Sequence, residues 1–115
     1  MPIVTVQGLH HDISRLPLYE LKIRIANAIA MVSELAITAH QVSVYFPSDL
    51  ELDLRKEVIA SVDGLFDRPE RTSAVCAVLA MAIGRVLRDS LAEGYLVEVF
   101  VHTFDPLQGF WSSAG

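Results

Sequence analysis

The strongest constraint in the sequence is an echo of its opening segment half a chain later. Val4-Thr5-Val6-Gln7-Gly8-Leu9 aligns with Ala60-Ser61-Val62-Asp63-Gly64-Leu65 at an offset of 56 residues (60 − 4), which also sets Arg15 against Arg71. Val42-Ser43-Val44-Tyr45 aligns with Val97-Glu98-Val99-Phe100 at an offset of 55 (97 − 42). Helical periodicity fills the space between the members of each pair. The chain therefore reads as two copies of strand, helix, strand, covering about residues 2–50 and 57–105 of one domain spanning residues 1–115. The echo stops at Pro2, whose counterpart is Val58, so only the first copy can present a terminal amine.

A strand–helix–strand unit with parallel strands requires a right-handed crossover. Two units side by side predict an α+β fold: a four-stranded mixed sheet with both helices on one face. The other face is left with apolar side chains. The chain is 52% apolar and only 20% charged, rich for its size, and a symmetric oligomer is the expected cover.

In order, the pattern predicts a strand over 3–7 punctuated by Gly8, then a polar loop, His10-His11-Asp12. Ser14 reads as an N-cap with Pro17 in the first turn, opening a helix that runs to 35 on Leu18, Leu21, Ile25, Ile29, Val32 and Leu35. Strands follow over 41–46 and 57–62, with Asp63-Gly64 closing the second; residues 50–54 alternate apolar and acidic and are a short strand extension or a loop. Asp67-Arg68-Pro69-Glu70 has the form of a capping box, predicting a helix over 69–91. Val75, Val78, Leu79, Met81, Ala82, Ile83 and Val86 make that helix apolar on most sides, so burial on more than one face is expected. A last strand covers 96–103, and the tail carries Phe110 and Trp111, rings expected to pack on a neighbouring subunit or wall a pocket.

Net charge is −5 and no basic run occurs, which argues against nucleic acid. The longest apolar run, 74–83, is half of the roughly 20 residues a membrane-spanning helix needs, and a β-pattern stands where a signal peptide would. Cys76 is the single cysteine, which suits a reducing, cytoplasmic setting. His10 and His11 diverge as neighbours and lack further ligands for zinc, so no metal or other cofactor is expected.

The group with the most chemical promise is the nitrogen of Pro2. If Met1 is removed, as is usual before a small residue, Pro2 carries a secondary amine. A free α-amino group titrates near about pH 8, and an apolar pocket lowers that value into the range of a general base at neutral pH. The bland alternative is a proline that merely starts an edge strand.

The Met1-Pro2 start, the strand over 3–7, the duplicated β-α-β plan, the junction Val62-Asp63-Gly64-Leu65 to Arg68-Pro69-Glu70-Arg71, and the ending Val97 to Asp105 with its aromatic tail together resemble the tautomerase superfamily. Its members include 4-oxalocrotonate tautomerase and macrophage migration inhibitory factor. The resemblance implies a homotrimer with a barrel of three sheets, and Pro2 as catalytic acid/base in a pocket between subunits. Arg68 or Arg71 would bind the carboxylate of a small enolisable keto or unsaturated acid, and Phe100, His102 and Trp111 would line the pocket. His10, His11 and Asp12 stand where an arginine is expected, Phe100 replaces a tyrosine, and the paired cysteines of the migration-inhibitory-factor branch are absent. Each residue has a plainer reading beside this one: Arg68 and Arg71 as solvated charges or ion pairs, His102 as a strand histidine, Trp111 as an interface ring. Two other functions share the fold, a non-catalytic trimeric scaffold and a proline-dependent dehalogenase or hydratase.

Overall fold

The computed structural model describes residues 2–9, 14–47 and 56–114. Its regular elements are β1 (Ile3–Gln7), α1 (Leu18–Ala30), β2 (Ser43–Tyr45), β3 (Glu57–Phe66), α2 (Ser73–Ser90) and β4 (Leu96–Phe104). The strands form one sheet in the order β2-β1-β3-β4. β1 is parallel to β2, β3 is parallel to β4, and the two halves meet through the antiparallel pair β1 and β3. This is the mixed four-stranded sheet that two β-α-β units require.

The ladders obey the sequence echo. Across β1 and β3, Val4 faces Val62, Thr5 faces Ser61 and Val6 faces Ala60, so residues 56 apart (60 − 4) exchange places about a local two-fold axis at the Thr5–Ser61 pair. The pairs Val4 with Val44 and Thr5 with Tyr45 reappear as Ala60 with Val99 and Ser61 with Phe100.

Alternation along the strands divides the sheet's two faces. Val4, Val6, Val58, Ala60 and Val62 point to the helices and are fully buried, against Leu21, Ile25 and Ile29 of α1 and Leu79, Ile83 and Leu87 of α2. Each large aliphatic side chain so buried contributes about 1.5–3 kcal/mol. The opposite face presents Ile3, Tyr45, Leu96 and Phe100, all exposed. Gly8 ends β1 at φ +82°, and a Cβ there would run into the Glu57 carbonyl oxygen, so both backbone conformation and space require glycine.

Several boundaries differ from the sequence reading. α1 stops at Ala30 rather than 35; Met31 N–H still bonds the Asn27 carbonyl, and a 3₁₀ turn at Ser33–Leu35 carries Leu35 into the core. Ser14 does not cap α1. Its hydroxyl closes a turn on Leu16 instead, and Pro17 occupies the cap position. β3 continues past Asp63-Gly64 through a bulge to Phe66. Asp67 is held to β4 by its amide on the Phe104 carbonyl, so α2 begins later, at Ser73, with the Thr72 hydroxyl accepting from Val75 N–H at 3.3 Å. α2 buries one face only, Val75, Leu79, Ile83 and Leu87, while Val78 and Met81 are about half exposed. The His10-His11-Asp12 loop and residues 50–54 lie outside the described residues. Among those described, no helix is long and apolar enough to cross a membrane.

Candidate active site

Because β1 and β3 are antiparallel with Ile3 opposite Asp63, the start of β1 lies beside the end of β3. Pro2 is buried at that corner, its carbonyl accepting from Ser43 N–H at 3.1 Å. It lines a cavity of about 170 Å³ with Ala36, Gln41, Gly64, Phe66, Arg68 and Arg71 among its neighbours. Among the described residues, no carboxylate lines this cavity. The bulge between Val62 and Leu65, where Gly64 takes φ +72°, turns β3 so that the Arg68 segment closes over Pro2.

The two arginines differ in how they are held. Arg71 donates from Nη1 to the Phe66 carbonyl at 2.6 Å and from Nη2 to the Leu35 carbonyl at 3.0 Å. Burial, and then the charge of Arg68, push its pKa down from the usual arginine value; Glu70 pulls the other way. Starting so high, it stays charged at neutral pH. Arg68 is exposed, and its side chain has no hydrogen-bond or ion-pair partner among the described residues. Gln41 is also committed, its Oε1 accepting from Thr38 N–H at 3.0 Å.

A second, larger chamber of about 640 Å³ adjoins the first and shares Gly64 and Phe66 with it. Its walls include Ile3, Asp63, His102, Phe104, Phe110 and Trp111. Phe110 meets Phe66 edge-on, ring centroids 4.8 Å apart and planes at 75°. Trp111 is 83% exposed at the mouth. The structure thus places Pro2, Arg68 and Arg71 around one cavity, and His102 and Trp111 in the next. Phe100 belongs to neither: it stands opposite Ser61 on the open sheet face. Sequence reasoning did not single out Phe66, Asp63 or Gln41 as site residues, whereas Phe110 was expected at an interface or a pocket wall and lines the chamber. The Gly64-Leu65-Phe66 run beside the arginines was the only cue for Phe66, and none existed for Gln41.

At the other end of the sheet a cavity of about 490 Å³ is lined by Arg15, Arg88, Asp89, Glu93 and Tyr95. Arg15 is the sequence counterpart of Arg71, so this is the corresponding corner of the second unit. Here the cations stand with two carboxylates, and the strand that starts nearby, β3, is continuous with Lys56. Among the described residues no three of His, Cys, Asp or Glu come together as a metal site would need.

No protein-family model matches the sequence. No curated protein matches it either. Solved structures do match its fold. Pt0534 inactivated by 2-oxo-3-pentynoate superposes with a TM-score of 0.65 at 14% identity, over 96% of this chain and 92% of that one. FG41 malonate semialdehyde decarboxylase inhibited by 3-bromopropiolate gives 0.52 at 24% identity, over 96% and 91%. A fused 4-OT described as a symmetric trimer gives 0.56 at 15% identity, over 97% and 91%. With its sheet order, its paired β-α-β units and these superpositions, the chain has the fold of the tautomerase superfamily.

Proposed function

We propose that this chain is a cofactor-independent tautomerase that moves a proton on a small enolisable keto or unsaturated carboxylate, with Pro2 as the acid/base. The observation carrying this reading is the contrast between the two corresponding corners of the fold. The corner at β1 joins the one residue able to expose an amine to two arginines and, among the described residues, no carboxylate. The other corner has balanced charge and an uninterrupted backbone.

Once Met1 is removed, the Pro2 nitrogen sits in a partly dry cavity beside two cations. Burial and neighbouring cations both disfavour the protonated form of an amine. The neutral amine takes the proton from the enol oxygen, the electrons shift along the conjugated system, and the ammonium returns a proton to carbon. No net oxidation occurs and nothing is consumed. Arg68, exposed and without a partner among the described residues, binds the substrate carboxylate and stabilises the negative charge that builds on the enolate. The apolar chamber past Phe66 accepts the remainder of the substrate, against Phe104, Phe110 and Trp111, with His102 at its wall. The inhibitors named for two of the fold's relatives, 2-oxo-3-pentynoate and 3-bromopropiolate, are small unsaturated carboxylates, the class such a cavity suits.

The open sheet face, with Ile3, Tyr45, Leu96 and Phe100 exposed, is the surface for assembly into a homotrimer, and the trimeric relative supports this. Phe100 then acts at the subunit interface. The free thiol of Cys76 is compatible with cytoplasmic residence. One observation favours a hydratase or dehalogenase as second reading: Asp63 and His102 share the chamber and could direct a water.

The test is intact-mass spectrometry of the natively expressed protein, followed by ketonisation assays on phenylpyruvate and 2-hydroxymuconate. Loss of Met1 and turnover of either acid support the proposal. Retention of Met1, or equal rates for wild type and Pro2→Ala, sinks it and leaves the scaffold reading; turnover of a 3-haloacrylate alone promotes the hydrolytic one.

A further inference from the structure

We infer that the two arginines of the cavity have different jobs: Arg68 meets the substrate, and Arg71 is a positioning residue that sets the shape of the cavity. The inference rests on the reading of this cavity as the active site. Its basis is the geometry of the Arg71 fork. Nη1 bonds the carbonyl that ends β3, at Phe66, and Nη2 bonds the carbonyl that ends the 3₁₀ turn, at Leu35. These carbonyls belong to separate segments, 31 residues apart (66 − 35), which form facing walls of the cavity: Ala36 and Ile37 on one side, Leu65 and Phe66 on the other.

A planar guanidinium holds two acceptors at a fixed separation, which a lysine ammonium on a flexible stem does not. The Leu35 side needs such a partner. The carbonyls of a helical turn's last residues lack internal donors, and Ala36 follows in the left-handed region at φ 52°, ψ 43°, a conformation that its Cβ disfavours. The Phe66 side reaches further. Phe66 lines both the cationic cavity and the apolar chamber and its ring meets Phe110 edge-on, so the Arg71 bond to the Phe66 carbonyl anchors the residue the two share. With one N–H of each terminal nitrogen engaged, two of the five donors of Arg71 are committed to the backbone and its plane is fixed by them. Arg68 keeps its whole guanidinium available.

The experiment compares Arg71→Lys, Arg71→Gln and Arg68→Gln with wild type, using phenylpyruvate and its uncharged methyl ester. It also measures thermal unfolding and amide exchange at Ala36 and Asp67, whose N–H groups bond Ser33 and Phe104 on the two walls. Arg68→Gln is expected to raise KM for the acid but not for the ester, to lower kcat on both through lost enolate stabilisation, and to leave unfolding and exchange unchanged. Arg71→Lys keeps the charge but is expected to lower kcat about tenfold or more on acid and ester alike, the scale of a misplaced catalytic wall. It should also lower the unfolding temperature and speed exchange at Ala36 and Asp67. Wild-type stability and exchange in Arg71→Lys, with a loss confined to KM for the acid, overturn the assignment and make Arg71 a carboxylate ligand.

Should Arg71→Gln not fold, Arg71→Lys and the wild-type protein still decide. Slowly exchanging Arg71 Nη protons that phenylpyruvate leaves unmoved support the strut, and rapidly exchanging ones remove it. Stability and exchange do not depend on turnover. A wild-type protein that processes neither compound therefore overturns the catalytic reading alone.

Discussion

Pro2 and Arg68 line the same small cavity, although one opens the first strand and the other follows the third. Substituting Pro2 by alanine keeps the backbone carbonyl that binds Ser43 N–H but replaces the secondary amine with a primary one on a freer backbone. The expected result is a fall in kcat/KM of about 10²-fold or more, the usual contribution of general acid–base catalysis, with the unfolding temperature nearly unchanged. Steady-state kinetics on phenylpyruvate with a parallel thermal melt check it.

The chamber beyond Phe66 should matter only to substrates long enough to reach it. Trp111→Ala removes an exposed ring and should change stability by less than about 0.5 kcal/mol. It should nevertheless cost about tenfold in kcat/KM for an aromatic acid, while a three-carbon acid is unaffected. Equal losses on both would place the chamber outside the substrate path.

Phe100 pairs with Ser61 on the open sheet face, 47% exposed in the single chain. Phe100→Asp would be solvated in a lone chain but would carry an unpaired charge into an assembled interface, at a cost of about 3 kcal/mol or more per copy. Sedimentation velocity should show the assembly give way to a single folded chain. An unchanged sedimentation coefficient would remove this face from the interface.

Gly8→Ala combines positive φ with a collision against the Glu57 carbonyl, which belongs to a neighbouring strand and cannot move aside cheaply. A loss of about 3 kcal/mol is expected in denaturant unfolding. Ala36→Gly should act in the opposite sense, gaining about 0.5 kcal/mol by relieving its left-handed conformation.

The strand pattern was legible because period two and an internal echo act together, and Tyr45 and Phe100 in matching places follow from the alignment; the antiparallel register that sets Thr5 against Ser61 did not, since an echo names counterparts without saying where the two copies meet. The start of α2 was not legible either. Asp67-Arg68-Pro69-Glu70 has the letters of a capping box, yet a long-range bond ties Asp67 N–H to the Phe104 carbonyl, residues 68–71 close a separate turn, and Thr72 caps instead. The apolar surround of α2 promised burial on several faces. In the single chain Ala74, Ala77, Val78 and Met81 face outward, since periodicity does not report what lies outside a helix. In the candidate site, the spacing Arg68-Pro69-Glu70-Arg71 showed two cations close together. Which of them is tethered depends on Leu35, a contact that only the folded chain creates.

The near two-fold symmetry through Thr5 and Ser61 has a chemical corollary. A strand can lend its leading nitrogen to catalysis only where the polypeptide starts, and the second unit is joined to the first through Lys56. Linking two such halves into one molecule therefore silences one of two matched corners, whatever side chains remain there. Asp89 and Glu93 stand at the corner that has no terminal nitrogen, and no acid among the described residues stands at the one that begins with Pro2.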